Sequence, residues 1–352
     1  GNHISVTLFG ESHGPAIGIV LDGLAPGIAV NEEIIKEFLA KRRPSSDLDT
    51  ARVEKDPFQI VSGVFQGKTC GTPLTILIPN EDTRSKDYTY GEARPSHADY
   101  AAHKKYHGHE DYRGGGHFSG RLTAPLCFAG AVCKQILERK GIHVGAHILS
   151  IKGVKDTPFD AVHVDAEALQ AVTAKAFPVQ EDAAGEAMQA AIAAAKEKGD
   201  SVGGIIECAV TGLPVGVGEP MFDGLESRLA AAVFAIPAVK GVEFGAGFGV
   251  ADLFGSENND DFIYLADGTV ETKTNNHGGS LGGISSGMPL VFRAAFKPTP
   301  SISREQDTIS ISKRENDKLA VVGRHDPCIV PRAVPCVEAA AAVAILDLLC
   351  RM

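Results

Sequence analysis

The chain has 352 residues, of which 44% are hydrophobic and 22% charged, a balance typical of a soluble globular protein with a full hydrophobic core. Its formal net charge of −10 at pH 7 excludes general nucleic-acid binding, which needs an excess of Lys and Arg to displace counterions from phosphates. No apolar run approaches the roughly 18 residues that span a bilayer, and the N-terminal sequence resembles neither a signal nor a transit peptide, so we expect a cytoplasmic protein that binds no membrane.

The first third of the chain predicts strands followed by helices. Two alternating apolar runs indicate strands around the turn GESHGP, so His13 lies at a strand-to-strand corner. Asn31 is a typical N-cap for a helix that Pro44 ends, and Arg42 and Arg43 stand in its last turn. The other elements expected here are strands at 4–8, 16–21, 59–65 and 73–78 and a helix at 126–137.

The rest of the chain alternates strands and helices without a regular βαβ period. The Asp267-Gly268 pair is a strong hairpin signal, which requires antiparallel strands around it. We therefore expect an α+β architecture with mixed or antiparallel sheets rather than a doubly wound parallel sheet. The predicted elements are strands at 144–151, 205–210 and 242–244 and helices at 183–198, 225–236 and 334–349.

Three glycine-rich segments are candidates for ligand contact. GGGHFSGR at 114–121 can wrap an anion but lacks the Lys-Ser/Thr ending of a nucleotide P-loop. NNHGGSLGGISSG at 275–287 is either a flexible surface loop or a loop that folds over a ligand. GAGFG at 245–249 follows a predicted strand, but no helix in dinucleotide-binding register follows it, so we expect no nicotinamide cofactor.

Polar groups on turns recur in three short motifs. GESHG places His13 between glycines and beside a hydroxyl and a carboxylate, where it can act as a general acid or base. RPSHAD brings His97 close in sequence to Arg94, and GRHDP carries Arg324 and Asp326. Each motif is weak alone, but together with the basic clusters they indicate one convergent site for an anionic ligand.

The remaining histidines and the cysteines favour no metal site. The sequence places four histidines close together, namely His97, His103, His107 and His109, yet their spacing fits no metal-binding motif. A solvated or anion-facing role for these side chains is therefore favoured over metal binding in a metalloenzyme. The seven cysteines are scattered and never form CxxC, which indicates buried, reduced thiols rather than a disulfide framework or a zinc site.

Taken together, the motifs resemble the chorismate synthase family. They occur in one order along nearly the whole chain: GESHGPAIGIVLDG, RPSHADY, GGGHFSGRLTAP, PAVKGVEFG, NNHGGSLGGISSG, FKPTPSI and GRHDPCIVPRAVP. The resemblance implies a single large domain over residues 1–352 in which helices are sandwiched between mostly antiparallel β-sheets. It also implies a homotetramer.

The resemblance further implies a lyase activity. Members of this family convert 5-enolpyruvylshikimate 3-phosphate to chorismate and phosphate, and they require reduced FMN although no net oxidation occurs. The anions at the glycine-rich loop are then the flavin and a substrate with one phosphate and two carboxylates. Since no nicotinamide motif is present, we expect an external flavin reductase to supply the reduced FMN.

Three residues match the catalytic groups of the family. His13 corresponds to the histidine that protonates the departing phosphate, and His97 to the histidine that protonates or polarises the reduced flavin. Asp326 corresponds to the aspartate that helps the flavin N5 take the ring hydrogen. A non-catalytic flavin- or phosphate-binding protein would not need all three, so their joint presence favours an enzyme.

Arginines and one serine match the substrate-binding positions of the family. Arginine suits this role because its planar guanidinium pairs with carboxylates and phosphates through two hydrogen bonds. One further basic position of the family is missing, since Asp47 and Leu48 stand there and Arg52 is the nearest arginine. The matching residues are Ser12, Arg42, Arg94, Arg121 and Arg324.

Flavin-binding positions are expected in five segments of the chain. His117 and Phe118 stand where the family commonly has arginine and serine, and Pro237 stands where it commonly has asparagine, so details of flavin contact differ. The expected flavin-binding residues are His117, Phe118, Ser119, Pro237, Ala238, Gly282, Lys297, Pro298, Thr299, Pro300, Ser301 and Arg324.

Overall fold

The computed structural model describes residues 3–44, 46, 48–50, 52, 54–83, 88–321 and 326–350. Its helices are α1 (Glu32–Arg42), α2 (Asp99–Lys105), α3 (Thr123–Glu138), α4 (Ala166–Thr173), α5 (Asp182–Glu197), α6 (Leu225–Phe234), α7 (Gly255–Asn258) and α8 (Val330–Leu349). Short 3-10 helices lie at Arg113–Phe118, Gly120–Leu122, Met221–Asp223 and Gly247–Asp252.

The strands of the described residues are all short to medium in length. They are β1 (Ser5–Gly10), β2 (Ala16–Asp22), β3 (Gln59–Ser62), β4 (Val64–Phe65), β5 (Lys68–Thr69), β6 (Leu74–Pro79), β7 (His143–Ile151), β8 (Val154–Lys155), β9 (Gly204–Thr211), β10 (Val239–Phe244), β11 (Phe262–Tyr264), β12 (Val270–Thr272), β13 (Ser280–Leu281), β14 (Ile284–Ser285), β15 (Leu290–Phe296), β16 (Gln306–Ser310) and β17 (Glu315–Leu319).

Two antiparallel sheets enclose a layer of helices. Within the described ranges, one sheet has the strand order β1-β2-β6-β3 and the other β10-β15-β9-β7-β8. Helix α3 contacts β2 and β6 of the first sheet, whereas α8 contacts β7 and β9 of the second, and α3 and α8 pack on each other. The α+β sandwich expected from the sequence is therefore confirmed.

The contact between α3 and α8 is close because small residues face each other there. A Cβ added at Gly130 of α3 would lie 2.2 Å from the Cβ of Ala339 on α8, so only glycine permits this approach. Most residues of α8 are buried, in agreement with its apolar sequence on almost every face. No helix among the described residues is long and apolar enough to cross a membrane.

The last helix begins one turn earlier than its predicted start at residue 334. Helix α8 starts at Val330, and it contains Pro335 although proline removes a backbone hydrogen bond. Pro331 lies in the first turn of α8, where proline is tolerated, and the buried packing of α8 outweighs the hydrogen bond lost at Pro335. The extra turn matters because it places Arg332 on the helix, beside the candidate site.

The loop at 275–287, for which the sequence left two alternatives open, is partly buried and held by side-chain hydrogen bonds in the structure. It contains the β13–β14 hairpin, and Asn275 and Ser285 are buried within it. His277 Nδ1 lies 2.5 Å from Asp260 Oδ2, and its Nε2 lies 2.8 Å from Ser286 Oγ. These two contacts tie His277 to Asp260 outside the loop and to Ser286 within it. The predicted hairpin around Gly268 is confirmed as β11 and β12.

Candidate active site

A single large cavity collects most of the residues that the sequence motifs singled out. Its volume is about 810 Å³, near the upper end of the roughly 300–1,000 Å³ range of small-molecule sites. Among the described residues, six arginines, two lysines and two carboxylates line it. A protein of net charge −10 therefore concentrates positive charge in one cavity, which suits a polyanionic ligand.

The glycine-rich loop brings two histidines close to the backbone at this cavity. At Gly114 (φ +60°), an added Cβ would lie 2.5 Å from Cδ2 and Nε2 of the His13 ring. At Gly115 (φ +80°), it would lie 3.0 Å from Cε1 of His97. Both positions require glycine, because a side chain there would be strained and would displace the imidazole rings. The two glycines thus allow the rings of His13 and His97 to pack closely against the same loop.

His97 lies at the cavity wall and is oriented by an ion pair. Its Nδ1 is 2.6 Å from Asp99 Oδ1, and Arg94 donates Nε–H to Asp99 Oδ2 at 2.8 Å and Nη2–H to Oδ1 at 2.9 Å. Burial would raise the pKa of Asp99, but hydrogen bonds from His97 and Arg94 outweigh it and hold that pKa well below its usual range. The ionised carboxylate contacts Nδ1 and so fixes the orientation of the imidazole ring.

Ser12 and His13 stand immediately behind the cavity wall. Ser12 is fully buried, and its hydroxyl accepts Nη1–H of Arg52 at 2.8 Å. The ring of His13 makes an edge contact with Tyr88, with 5.3 Å between ring centroids, and lies against Gly114. Neither residue is among the described residues that line the cavity, whereas Arg52, Gly114 and Tyr88 are.

Arg42 and Arg121 share a buried counter-ion that motif reasoning did not single out. Both donate to the fully buried carboxylate of Asp56, Arg42 through Nη1 at 3.4 Å and Arg121 through Nη1. Arg42 Nε also donates to Thr123 Oγ1 at 2.7 Å, and Arg121 Nε donates to Asn80 Oδ1 at 3.0 Å. These contacts fix both guanidinium groups in the wall.

Asp326 lies at the cavity just before α8. Its Oδ1 accepts the backbone N–H of Thr50 at 2.8 Å, and its Oδ2 accepts Nη1–H of Arg332 at 2.6 Å. Arg332 also donates Nε–H to the carbonyl of Arg42 at 3.0 Å, which ties the start of α8 to the end of α1. Arg324, like Asp47, lies outside the described residues.

Most of the expected flavin-binding residues also line the cavity. Lys297 Nζ donates to the carbonyl of Ser96, and Arg94 Nη1 donates to Ser301 Oγ at 3.3 Å. The lining residues from that expected set are His117, Phe118, Ser119, Pro237, Ala238, Lys297, Thr299, Pro300 and Ser301. Pro298 lies between two of them without lining the cavity, and Gly282 is an exposed turn residue between β13 and β14, away from it.

Among the described residues, two buried polar atoms at the cavity have no hydrogen-bond partner, although one of them, Arg43 Nε, lies 4.0 Å from the Asp56 carboxylate. They are Nε of Arg43 and Oγ1 of Thr299. An unpaired buried polar atom is costly, so such atoms at a cavity wall point to a ligand that pairs with them. A phosphate or carboxylate suits Arg43, and a hydroxyl or ring heteroatom suits Thr299.

Sequence reasoning missed several residues of the site for identifiable reasons. Arg43 was visible in KRRP and Arg332 in PRAVP, but neither was assigned a role. Arg52 occupies the cavity although the family's usual basic position is absent, so the altered segment still supplies an arginine. Asp56 had no sequence signal, since its partner Arg121 is 65 residues away, and Glu54, which pairs with Arg52 two residues earlier, stands in no recognisable motif.

The histidines of the 97–109 segment do not converge. His97 pairs with Asp99, and His103 Nδ1 lies 3.0 Å from Glu110 Oε1. Among the described residues, no group of three His, Cys, Asp or Glu side chains is arranged to hold a metal ion.

The fold and the site together define an α+β protein with an arginine-lined cavity for a small polyanion, flanked by two histidines. The family model described as chorismate synthase matches residues 4–350. A chorismate synthase of Thermococcus kodakarensis is 48% identical (100% of this chain, 97% of the relative), and one of Lancefieldella parvula is 46% identical (99% and 95%). A crystal structure of a chorismate synthase matches with a TM-score of 0.77 at 29% identity, over 99% of this chain and 92% of that chain. The chain belongs to the chorismate synthase family of enzymes.

Proposed function

We propose that this protein converts 5-enolpyruvylshikimate 3-phosphate to chorismate and phosphate by a 1,4-anti elimination that requires reduced FMN without net redox change. The observation that carries the proposal is one arginine-lined cavity with His97 and Asp326 at its wall and His13 directly behind Gly114. A substrate with one phosphate and two carboxylates needs this positive charge, because several anionic groups must leave water together.

The cavity fits two ligands rather than one. Its volume of about 810 Å³ and its wall of Phe118, Pro237 and Ala238 suit a flat ring system next to a charged substrate. The hydroxyl of Thr299, which has no hydrogen-bond partner among the described residues, is available to a polar group of these ligands. Reduced FMN bound there supplies the electron-rich ring and the hydrogen acceptor that the elimination needs.

Each catalytic residue has a role set by its surroundings. His13 donates a proton to the phosphate as the carbon–oxygen bond breaks, which lowers the charge on the leaving group. His97, whose ring is oriented by the contact of its Nδ1 with Asp99, protonates or polarises the reduced flavin. Asp326 is kept in place by Thr50 and Arg332 and assists removal of the ring hydrogen.

Anaerobic turnover of 5-enolpyruvylshikimate 3-phosphate with dithionite-reduced FMN tests the proposal, with chorismate as the measured product. His13→Ala is expected to lower kcat by roughly 10²–10⁴, the usual contribution of a general acid, and to leave flavin binding intact. His163→Ala, which changes an exposed histidine, serves as the matched control and keeps wild-type turnover. Wild-type kcat in the His13 variant would remove His13 from the mechanism.

The source of reduced FMN is an external flavin reductase. In the structure, the GAGFG segment leads from β10 into the 3-10 helix Gly247–Asp252, not into the helix of a dinucleotide-binding unit. Purified protein given oxidised FMN, NADPH and substrate without oxygen is therefore expected to form no chorismate. Sustained product formation would reveal a nicotinamide site in this chain.

The protein acts as a cytoplasmic homotetramer whose subunit is one domain over residues 1–352. Support for self-association comes from large apolar side chains on the surface: Phe222 is 93% exposed, Phe248 86% and Tyr264 81%. Such exposed aromatic side chains are candidates for burial between subunits of the assembly. Light scattering coupled to size-exclusion chromatography measures the assembly, and a 37 kDa particle at micromolar concentration would refute it.

A further inference from the structure

Two cysteines that lie far apart in sequence meet at the wall of the active-site cavity. Cys127 on α3 and Cys336 on α8 have their sulfur atoms 3.8 Å apart, and both side chains are buried. Cys336 lines the cavity, whereas Cys127 lies behind it. A molecule small enough to enter the cavity therefore meets Cys336 first, and a second thiol is ready beside it.

The surroundings of the two sulfur atoms give them different roles. Cys127 donates a hydrogen bond to Cys336, and this bond, with help from Arg42, Thr123 and Arg332, lowers the pKa of the Cys336 thiol. Burial raises the pKa of Cys127, which stays protonated. A thiolate beside a thiol is the arrangement in which one sulfur attacks an oxidant and the other resolves the product.

We propose that Cys336 and Cys127 form a peroxide-sensitive thiol pair at the active-site wall. The Cys336 thiolate attacks hydrogen peroxide, the O–O bond breaks, and Cys336 sulfenic acid and water form with uptake of one proton. The Cys127 thiol then attacks the sulfenic sulfur and expels a second water, which leaves a disulfide; two thiols are oxidised and one peroxide is reduced. The source of peroxide inside the cavity rests on the proposed function, since reduced flavin reacts with oxygen to give hydrogen peroxide.

Oxidation weakens the binding of the anionic substrate. Thr123 contacts the Cys336 sulfur and also accepts the Arg42 Nε–H at 2.7 Å. An S–S bond is about 2 Å long, so the two sulfur atoms, 3.8 Å apart, must approach each other, and the packing of Cys336 against Thr123 changes. Because Thr123 orients the Arg42 guanidinium, we expect this movement to misalign Arg42 with the anionic substrate and the KM for the substrate to rise roughly tenfold, the order expected for one charge-assisted hydrogen bond. Reduction with dithiothreitol restores the original KM.

Mass spectrometry tests the chemistry without flavin or substrate. Reduced protein is treated with a few equivalents of hydrogen peroxide, the remaining thiols are alkylated, and the peptides are mapped. We expect one cross-linked pair of peptides containing Cys127 and Cys336, with two of the seven cysteines protected from alkylation. Cys208→Ala, which removes a buried thiol of β9, serves as the matched control and forms the same cross-link.

Cys127→Ala removes the resolving thiol and changes the product. In this variant Cys336 is expected to proceed to sulfinic acid, and its substrate KM stays raised after dithiothreitol. No Cys127–Cys336 cross-link in wild type, or a cross-link between other cysteines, overturns the proposal. A cross-link with unchanged KM overturns the coupling to Arg42. Absence of any turnover before oxidation refutes the proposed function instead, because the peptide map scores the thiol pair independently.

Discussion

Replacing Asp56 with Asn tests the electrostatic design of the cavity. The Asp56 carboxylate is fully buried and faces Arg42 and Arg121, whose side chains are only 6% and 4% exposed. Asn keeps the shape and tolerates the positive φ of 51° at this position, so the change removes charge with little strain. Two buried guanidinium groups then lose their shared counter-ion.

The expected cost follows from this burial. Breaking a buried ion pair lowers the free energy of unfolding by about 3–5 kcal/mol. Because the amide oxygen of Asn can still accept a hydrogen bond, we expect Asp56→Asn to cost about 3 kcal/mol, the lower end of this range. For a chain of this size that corresponds to a fall in Tm of roughly 6 °C, at about 2 °C per kcal/mol. The substrate, or inorganic pyrophosphate as a surrogate polyanion, replaces the missing negative charge. The rise in Tm on adding this ligand is therefore expected to be larger for Asp56→Asn than for wild type.

Differential scanning fluorimetry with and without pyrophosphate measures both the fall in Tm and the ligand-induced rise in Tm. Asp267→Asn, at an exposed hairpin turn where Asn is equally suitable, is the matched control and should leave Tm unchanged. A Tm for Asp56→Asn within one degree of wild type, or a smaller ligand-induced shift than in wild type, would refute the reasoning.

Three further predictions follow from the geometry. Because hydrogen bonds from His97 and Arg94 lower the folded-state pKa of Asp99, its ion pair stabilises the fold fully above the unfolded value of about 4 and less as pH falls below it. The difference in urea stability between wild type and Asp99→Asn should thus shrink as pH falls below 4; a difference that keeps growing below pH 4 contradicts this. Gly114→Ala should displace His13 and lower kcat at least tenfold, whereas Gly249→Ala, where an added Cβ meets nothing within 4 Å, should leave kcat unchanged. Phe222→Asp should shift the light-scattering mass toward smaller assemblies, since it places a charge on an exposed apolar surface, and an unchanged mass would remove this residue from the interface.

Local patterns predicted most of the secondary structure. The alternation around GESHGP predicted β1 and β2, and the N-cap at Asn31 with the stop at Pro44 predicted α1. These signals are local, so they survive in any tertiary context. The short elements α2 and α4 and the hairpin of β16 and β17 were not expected, because helices of seven or eight residues and exposed two-stranded ribbons depend on contacts with the rest of the molecule.

The sequence by itself determined the chemistry available to this protein: histidines and arginines on turns, glycines beside them, and an ordered set of motifs that resembles one enzyme family. Tertiary structure alone decided which charges neutralise each other and which groups face the cavity. Asp56 meets Arg121 across 65 residues, and Cys127 meets Cys336 across 209. Contacts at such separations are set by the packing of α3 and α8 and by the path of the chain between the sheets, and no local periodicity encodes them.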